Sequence, residues 1–248
     1  MNLLIKIPTH KRDFNKWLPS YLNNITNSAT RILISVDHGD NTPIPEEFQN
    51  NPIITIVRGY SNGKISAINR DINEYEGYWD IILVGSDDMY PQMKGFDQII
   101  INDMSRFYPD KDGCLWYDTE DNQAELKNRY RREIKHGTRE FLQKWICMMP
   151  VMGKTYYNRF NYVYHPSYRS FSCDNEQTAV AVGLNKMQYV HTRIVKHMHP
   201  AWAKDGIKPD LTYQLAEKDN QFTKDHRHFQ WRKARSFPQH LTGVHQKQ

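Results

Sequence analysis

Hydrophobic and polar positions along this chain follow two alternating periods. Short apolar runs, Leu3 to Ile7, Ile32 to Val36 and Ile53 to Val57, read as strands, and Ile81 to Val84, mostly β-branched, reads as a buried parallel strand. Between them lie amphipathic stretches. Residues 13 to 25 place Phe14, Trp17, Leu18, Tyr21, Leu22 and Ile25 on one helical stripe, with Pro19 expected to kink the helix or delay its start. A further helix is expected from Lys64 to about Tyr75. Strands alternating with helices predict an α/β fold: a mostly parallel central sheet, right-handed crossovers and helices on its flanks.

The second half is less regular. The pattern predicts a helix over Phe96 to Met104, a strand over Cys114 to Tyr117, and a helix from Thr138 to Met149, capped by Thr138 and stopped by Pro150. Asp174 to Leu184 reads as another helix. Beyond His199-Pro200 come two polar, aromatic-bearing helical stretches, roughly 210 to 220 and 222 to 235, and then a loose tail. No internal repeat or low-complexity segment is present.

Composition narrows the class. With 248 residues, 39% of them hydrophobic, the chain can bury one sizeable core, so one domain with a C-terminal extension is expected. No apolar run approaches the ~20 residues of a membrane-spanning helix, and the start, with Lys6, His10, Lys11 and Arg12, is too polar for a signal peptide. A cytoplasmic protein with no membrane partner is the expectation. Cys114, Cys147 and Cys173 are odd in number, lack zinc or disulfide spacing, and read as small buried residues. The formal charge of +5 is concentrated: segment 127 to 144 holds seven basic and two acidic side chains, and segment 224 to 248 six and one. A mildly acidic body with two basic patches suggests contact with a polyanion, or else two solvated helical faces.

Candidate chemistry gathers where Ile81-Ile82-Leu83-Val84 runs into Gly85-Ser86-Asp87-Asp88. Ligands of open α/β sheets collect at the carboxyl ends of such strands. Two adjacent carboxylates repel each other and hold a low-dielectric position poorly without a cation, which hard oxygen ligands offer to Mg²⁺ or Mn²⁺. The pair alone is also compatible with an ordinary acidic turn. His197 and His199 flank Met198; in an extended segment residues two apart share a face, so both imidazoles can address one site.

Four segments in order then resemble the nucleotide-sugar-dependent glycosyltransferases of the GT-A fold, especially the family-2-like group. They are the opening strand into Ile7-Pro8-Thr9-His10-Lys11-Arg12; Ile34-Ser35-Val36-Asp37 with its Gly39-Asp40 turn; Asn62-Gly63-Lys64-Ile65-Ser66-Ala67-Ile68-Asn69; and Ser86-Asp87-Asp88, in the place of the family's Asp-x-Asp metal motif with Ser86 at its first position. The likeness covers residues 1 to 95 well and the rest weakly. It implies a GT-A catalytic domain over 1–200, with a nucleotide-binding half (1–95) and an acceptor half (96–200), and a helical, basic extension over 201–248.

The resemblance also implies an enzyme that moves a hexosyl or pentosyl group from a nucleoside-diphosphate sugar, a UDP-sugar first of all, to an acceptor hydroxyl with inversion; retention stays open. Donor-binding residues would be Pro8, Thr9, Arg12, Asp37 at the base, Lys64, Asn69, Asp87 toward the ribose, and Asp118. Asp88 would hold a divalent cation, Mn²⁺ or Mg²⁺, with His199 or else His197 completing its sphere. Asp174 would be the general base, its alternative being a helix N-cap with Gln177 completing a capping box. Small stand-alone chains with these motifs resemble glycosyltransferases common in tailed phages, some of which modify hydroxymethylated bases in DNA; the compartment would then be the host cytoplasm. For a DNA acceptor, Arg129, Arg131, Arg132 and Lys135 would meet phosphates and Trp231 and Arg232 a splayed base. A glycan or protein acceptor, a sugar-phosphate nucleotidyltransferase and a noncatalytic nucleic-acid-binding protein are the competing readings.

Overall fold

The computed structural model of the chain describes residues 1–118, 146–198, 214 and 218–237. Strands β1 (Leu3–Thr9), β2 (Arg31–Asp37), β3 (Ile54–Gly59) and β4 (Ile81–Val84) pair in parallel, with β1 between β2 and β4 and β3 outside β2. β4 is apolar and buried throughout, β1 and β2 are buried on both faces with Lys6 and Ser35 among their apolar residues, and β3, at the end of the sheet, is only partly buried. Leu3, Ile5 and Ile7 join Ile32, Ile34, Ile81 and Leu83 in one core, while Leu4 joins Leu33 and Ile82 in the other.

Helix α1 (Phe14–Asn24) starts at the N-cap Asp13, whose carboxylate accepts from the Asn15 N–H at 3.0 Å, and buries Phe14, Trp17, Leu18 and Tyr21. Pro19 neither delays the helix nor stops it: it stands inside. A short α2 (Glu46–Gln49) precedes β3. α3 (Lys64–Asn69) ends well short of Tyr75, because Arg70 turns extended and Asp71 adopts a left-handed φ of 69° that sends its carboxylate toward Lys6 and Arg70.

The far half of the sheet is mixed. After β5 (Met89–Pro91) and α4 (Phe96–Phe107) come β6 (Cys114–Tyr117) and β7 (Pro150–Gly153); β7 runs antiparallel to both β4 and β6. β8 (Met187–Val190) then pairs parallel with β6, completing the order β3-β2-β1-β4-β7-β6-β8. The helix expected over 138–149 falls mostly outside the described residues, and 146–149 are not helical but lead into β7. Pro150 opens that strand, a position where the missing N–H is tolerated.

The short α5 (Lys154–Tyr157) and α6 (Cys173–Gly183) follow, and β9 (Val195–His197) pairs with β5 in a separate two-stranded sheet. A 3₁₀ turn (Lys218–Asn220) leads into α7 (Gln221–Lys233), which packs on α6 and sends Phe229 into the same core as Leu4 and Trp116. All three cysteines are buried and unbridged. Among the described residues no helix is long and apolar enough to cross a membrane.

Candidate active site

Because β1, β2, β3 and β4 are parallel, their carboxyl ends share one edge of the sheet, and the segments leaving that edge carry the polar groups. The Thr9 hydroxyl, at the end of β1, donates to Asp87 Oδ2 at 2.7 Å, and Arg12 Nε lies 3.4 Å from Asp87 Oδ1. The turn between them is held from below: Lys11, at a left-handed φ of 55°, donates its N–H to Asp40 at 2.6 Å.

The turn after β4 is fixed by Tyr21 of α1. Its hydroxyl donates to the Ser86 carbonyl at 3.0 Å, and a Cβ on Gly85 would come within 2.7 Å of that hydroxyl oxygen, so only glycine lets the ring so close. Asp87 and Asp88 emerge from this turn into different surroundings. Burial pushes the Asp87 carboxyl above the ordinary carboxylate range, and the Asp88 charge adds to that against the pull of Arg12, Thr9 and Lys64. Burial also opposes the charge on Asp88, but the His197 imidazole beside it and Lys64 outweigh burial and hold this carboxyl well below the usual range.

β9 supplies that histidine. Pairing of Met89 with His197 in the small sheet, together with the Met198 N–H donated to the Asp88 carbonyl at 2.8 Å, sets His197 Nε2 3.6 Å from Asp88 Oδ1. Asp88 Oδ1 is buried without a hydrogen-bond partner among the described residues. A buried carboxylate oxygen with an imidazole nitrogen 3.6 Å away, in a residue next to a second carboxylate, fits a divalent cation that takes one or two protein carboxylates and fills its sphere with phosphate oxygens and water. Among the described residues no three His, Cys, Asp or Glu side chains converge into a complete protein cage; His199 lies outside them.

At the end of β2, Asp37 Oδ2 is 3.5 Å from His10 Nδ1, and Asp37 Oδ1 is buried without a hydrogen-bond partner among the described residues. The His38 ring packs on Tyr60, 4.6 Å between centroids, with Tyr60 82% exposed. Lys64, the first residue of α3, is close enough to Asp87, Asp88 and Asp174 to favour the charged form of each. Asp174, in the first turn of α6, has its carboxyl raised by burial. It is no N-cap: that place belongs to Ser172, so the capping-box alternative fails.

The structure therefore brings Thr9, Arg12, Lys64, Asp87, Asp88, His197 and Asp174 to one side of the sheet, with Asp37 and the half-buried Pro8 at the ends of the neighbouring strands. Other expected residues go elsewhere. Asn69 spends its side-chain amide on the backbone of 163 and 164, donating to the Tyr164 carbonyl at 2.6 Å and accepting from the Val163 and Tyr164 N–H groups at 3.0 and 3.2 Å. That corrects the expectation of a nucleotide contact. Asp118 is buried, accepts from the Tyr189 hydroxyl and lies 3.8 Å from His191. Arg232 is committed to a bidentate pair with Glu176 at 2.6 and 2.7 Å and is not presented to an acceptor; its neighbour Trp231 is 49% exposed. Arg129, Arg131, Arg132 and Lys135 lie outside the described residues.

Sequence reasoning missed Tyr21, which looked like one apolar member of a stripe, and Lys6. This lysine interrupts an apolar strand, is fully buried, and donates to Ser35 with Asp71 3.9 Å away. Burial pulls its ammonium down to about 7, against the Asp71 charge. The signal was on the page: a polar residue among both-face apolar ones demands a buried partner.

Comparison with solved structures extends the geometry to known proteins. Residues 1–349 of Staphylococcus aureus TarS, in complex with UDP, superpose with a TM-score of 0.56 at 13% identity over 79% of this chain, which spans 60% of that one. The same protein with UDP-GlcNAc gives 0.56 at 14% over 96% of this chain and 75% of that one. Glucosyl-3-phosphoglycerate synthase from Mycobacterium tuberculosis, with Mn²⁺, UDP-glucose and phosphoglyceric acid, gives 0.57 at 10% over 98% and 82%. The chain has the GT-A fold. No protein-family model matches its sequence, and no curated protein does so at a significant level.

Proposed function

We propose that the chain is a glycosyltransferase that moves a sugar from a nucleoside-diphosphate sugar, a UDP-sugar in the first instance, to an acceptor hydroxyl. The observation that carries the reading is the convergence of Asp87, Asp88, Lys64 and Asp174 beyond the carboxyl ends of β1 and β4. Neighbours of the same fold hold UDP, UDP-GlcNAc or UDP-glucose, one of them with Mn²⁺.

Each side chain then has a task that its surroundings suit. The unpartnered Asp37 oxygen accepts from the base; Asp87, oriented by Thr9 and Arg12, accepts from the ribose. Asp88, with His197 or His199, would hold a divalent cation, which when bound supplies positive charge to the diphosphate. Lys64 adds its own charge on the same side. Asp174 takes the proton from the acceptor hydroxyl as the acceptor oxygen bonds to the anomeric carbon. The bond from that carbon to the diphosphate breaks, its electron pair leaves on the phosphate oxygen, and the configuration inverts. A carboxyl raised by burial is a better base near neutral pH than an ordinary aspartate. Residues 1–200 form the catalytic unit in this reading, with α7 in the extension.

For the acceptor we propose a polyanion, DNA with hydroxymethylated bases before others. Support comes from the basic stretch 127–144 and from the exposed Trp231 on α7, with Arg227 one turn before it and Arg235, just past the helix, 4.2 Å over its ring. The test of the class is incubation with UDP-glucose and UDP-GlcNAc in Mn²⁺ buffer, followed by phosphorus NMR. Release of free UDP, increased by hydroxymethylated DNA, is the expected result; pyrophosphate would indicate a nucleotidyltransferase, and no turnover with steep, salt-dependent DNA binding a noncatalytic binder.

A further inference from the structure

Helix α7 buries an unusual stripe. Its inward residues, Gln221, Asp225, Phe229 and Arg232, recur at helical spacing, yet three of the four are polar. Each polar group is matched. Asp225 accepts three consecutive backbone N–H groups, from Arg169 at 3.3 Å, Ser170 at 2.9 Å and Phe171 at 2.8 Å, and Gln221 donates to the same carboxylate at 3.0 Å. Two turns on, Arg232 grips Glu176 in the first turn of α6, and the Tyr168 hydroxyl donates to that same carboxylate at 2.7 Å. Between them His228 Nε2 is 2.7 Å from the Ser167 hydroxyl.

The loop so held touches the candidate site on two sides. On one, the Arg169 carbonyl accepts from the Ile65 N–H at 3.1 Å, and a Cβ on Gly63, whose φ is +101°, would come within 2.6 Å of Arg169 Cγ. The start of α3, and with it Lys64, is thus seated on residue 169. On the other side the loop runs through Ser172, left-handed at φ 58°, directly into the first turn of α6 and Asp174. A conformation that Ser adopts reluctantly persists only where its surroundings fix it.

We propose that Asp225 is a positioning residue: through the backbone of 169–171 it sets the distance between Lys64 on α3 and Asp174 on α6, so that α7 aligns the diphosphate side of the site with the base. The proposal rests on the reading of Lys64 and Asp174 given above. Buried, charge-assisted acceptance of three main-chain N–H groups is a rigid way to fix a loop, and loss of the carboxylate leaves those donors unsatisfied. Asparagine can keep most of it, with its carbonyl facing Ser170 and Phe171 and Gln221 turned to accept from its NH₂.

The test compares wild type with Asp225→Ala, Asp225→Asn and, as a control on the same helix, the exposed Thr223→Ala. Amide hydrogen exchange at 65 and 169–171 is followed beside the steady-state kinetics of UDP release. The expected result for Asp225→Ala is exchange at least ~10-fold faster at Ser170, Phe171 and Ile65 with the amides of β1 and β2 unchanged. Its kcat falls ~10-fold or more while donor KM stays within about threefold; Asp225→Asn recovers most of both, and Thr223→Ala matches wild type. Two results overturn the proposal: an Ile65 amide as protected in Asp225→Ala as in wild type, or faster exchange with kcat per folded molecule unchanged. A wild-type protein that turns over no sugar nucleotide overturns the assignment of function instead, and the Ile65 amide still decides whether α7 reaches α3.

Discussion

Asp87 and Asp88 are adjacent in sequence and opposite in environment, one raised by burial and its neighbour's charge, the other held down by His197 and Lys64. Such divergence is how two carboxylates come to do two jobs. In the proposed mechanism Asp174 is the third, with a role separable from folding: Asp174→Asn should cost roughly 10²- to 10⁴-fold in turnover, the range of a lost general base, with an unchanged melting temperature by calorimetry. An acid–base effect of another kind resides at Asp112. Arg159 Nε at 2.9 Å and Lys186 Nζ at 2.7 Å, acting against partial burial, keep its carboxyl below the usual range when folded. Its contribution to stability is present above the unfolded value of about 3.9 and lost as pH falls through the folded one. Asp112→Asn should therefore melt below wild type at pH 7, and the gap between the two should begin to close only as pH falls below about 4. At this scale the sequence was legible where a residue's type already implied its surroundings. Paired carboxylates after an apolar run mark a strand end with charge to accommodate, which is where Asp87 and Asp88 lie. Asn69 and Arg232 were misplaced because an amide or a guanidinium looks the same in sequence whether its partner is a ligand or a carbonyl or carboxylate of the same chain.

Among the elements, the turn after β4 leaves no room for a side chain at Gly85. Gly85→Ala would drive a methyl into the Tyr21 hydroxyl at 2.7 Å and Ile7 Cγ1 at 3.3 Å, a case of overpacking that costs about 1–3 kcal/mol. Urea unfolding should show this loss, and Gly85→Ala combined with Tyr21→Phe should recover part of it; no loss, or no recovery, would mean that the turn is not held as described. The strands of the parallel half were readable, since their runs stay mostly apolar despite Lys6, Ser35 and Thr55, and β4 is apolar and buried throughout. β7 was not, because a strand opening with Pro150 carries the same letters as a helix that stops there. α3 was read too long: nothing in Arg70-Asp71 announces that a buried Lys6 will draw Asp71 out of the helix. The reading of α7 was right as a helix and silent on its packing, since a stripe of Gln221, Asp225 and Arg232 has no hydrophobic signature although it is buried.

For the molecule as a whole, parallel strands β1 to β4 put every loop that carries a site residue at one edge, while β9 and α6 return from the far half to close over it. The fold is what the four ordered segments implied through their resemblance, and its parallel and mixed parts share one seven-stranded sheet. In the proposed mechanism Asp88 and its histidine partner hold a cation that recruits a nucleoside diphosphate. A ligand that binds only the folded state raises stability by about 2.7 kcal/mol at a hundred times its Kd. Thermal unfolding of wild type and Asp88→Asn with UDP, with Mn²⁺ and with both tests this most directly. The expected result is a clear rise in melting temperature for wild type with UDP and Mn²⁺ together, larger than the two separate effects combined, and its disappearance in Asp88→Asn. An equal rise in both proteins, or none in wild type, would contradict it.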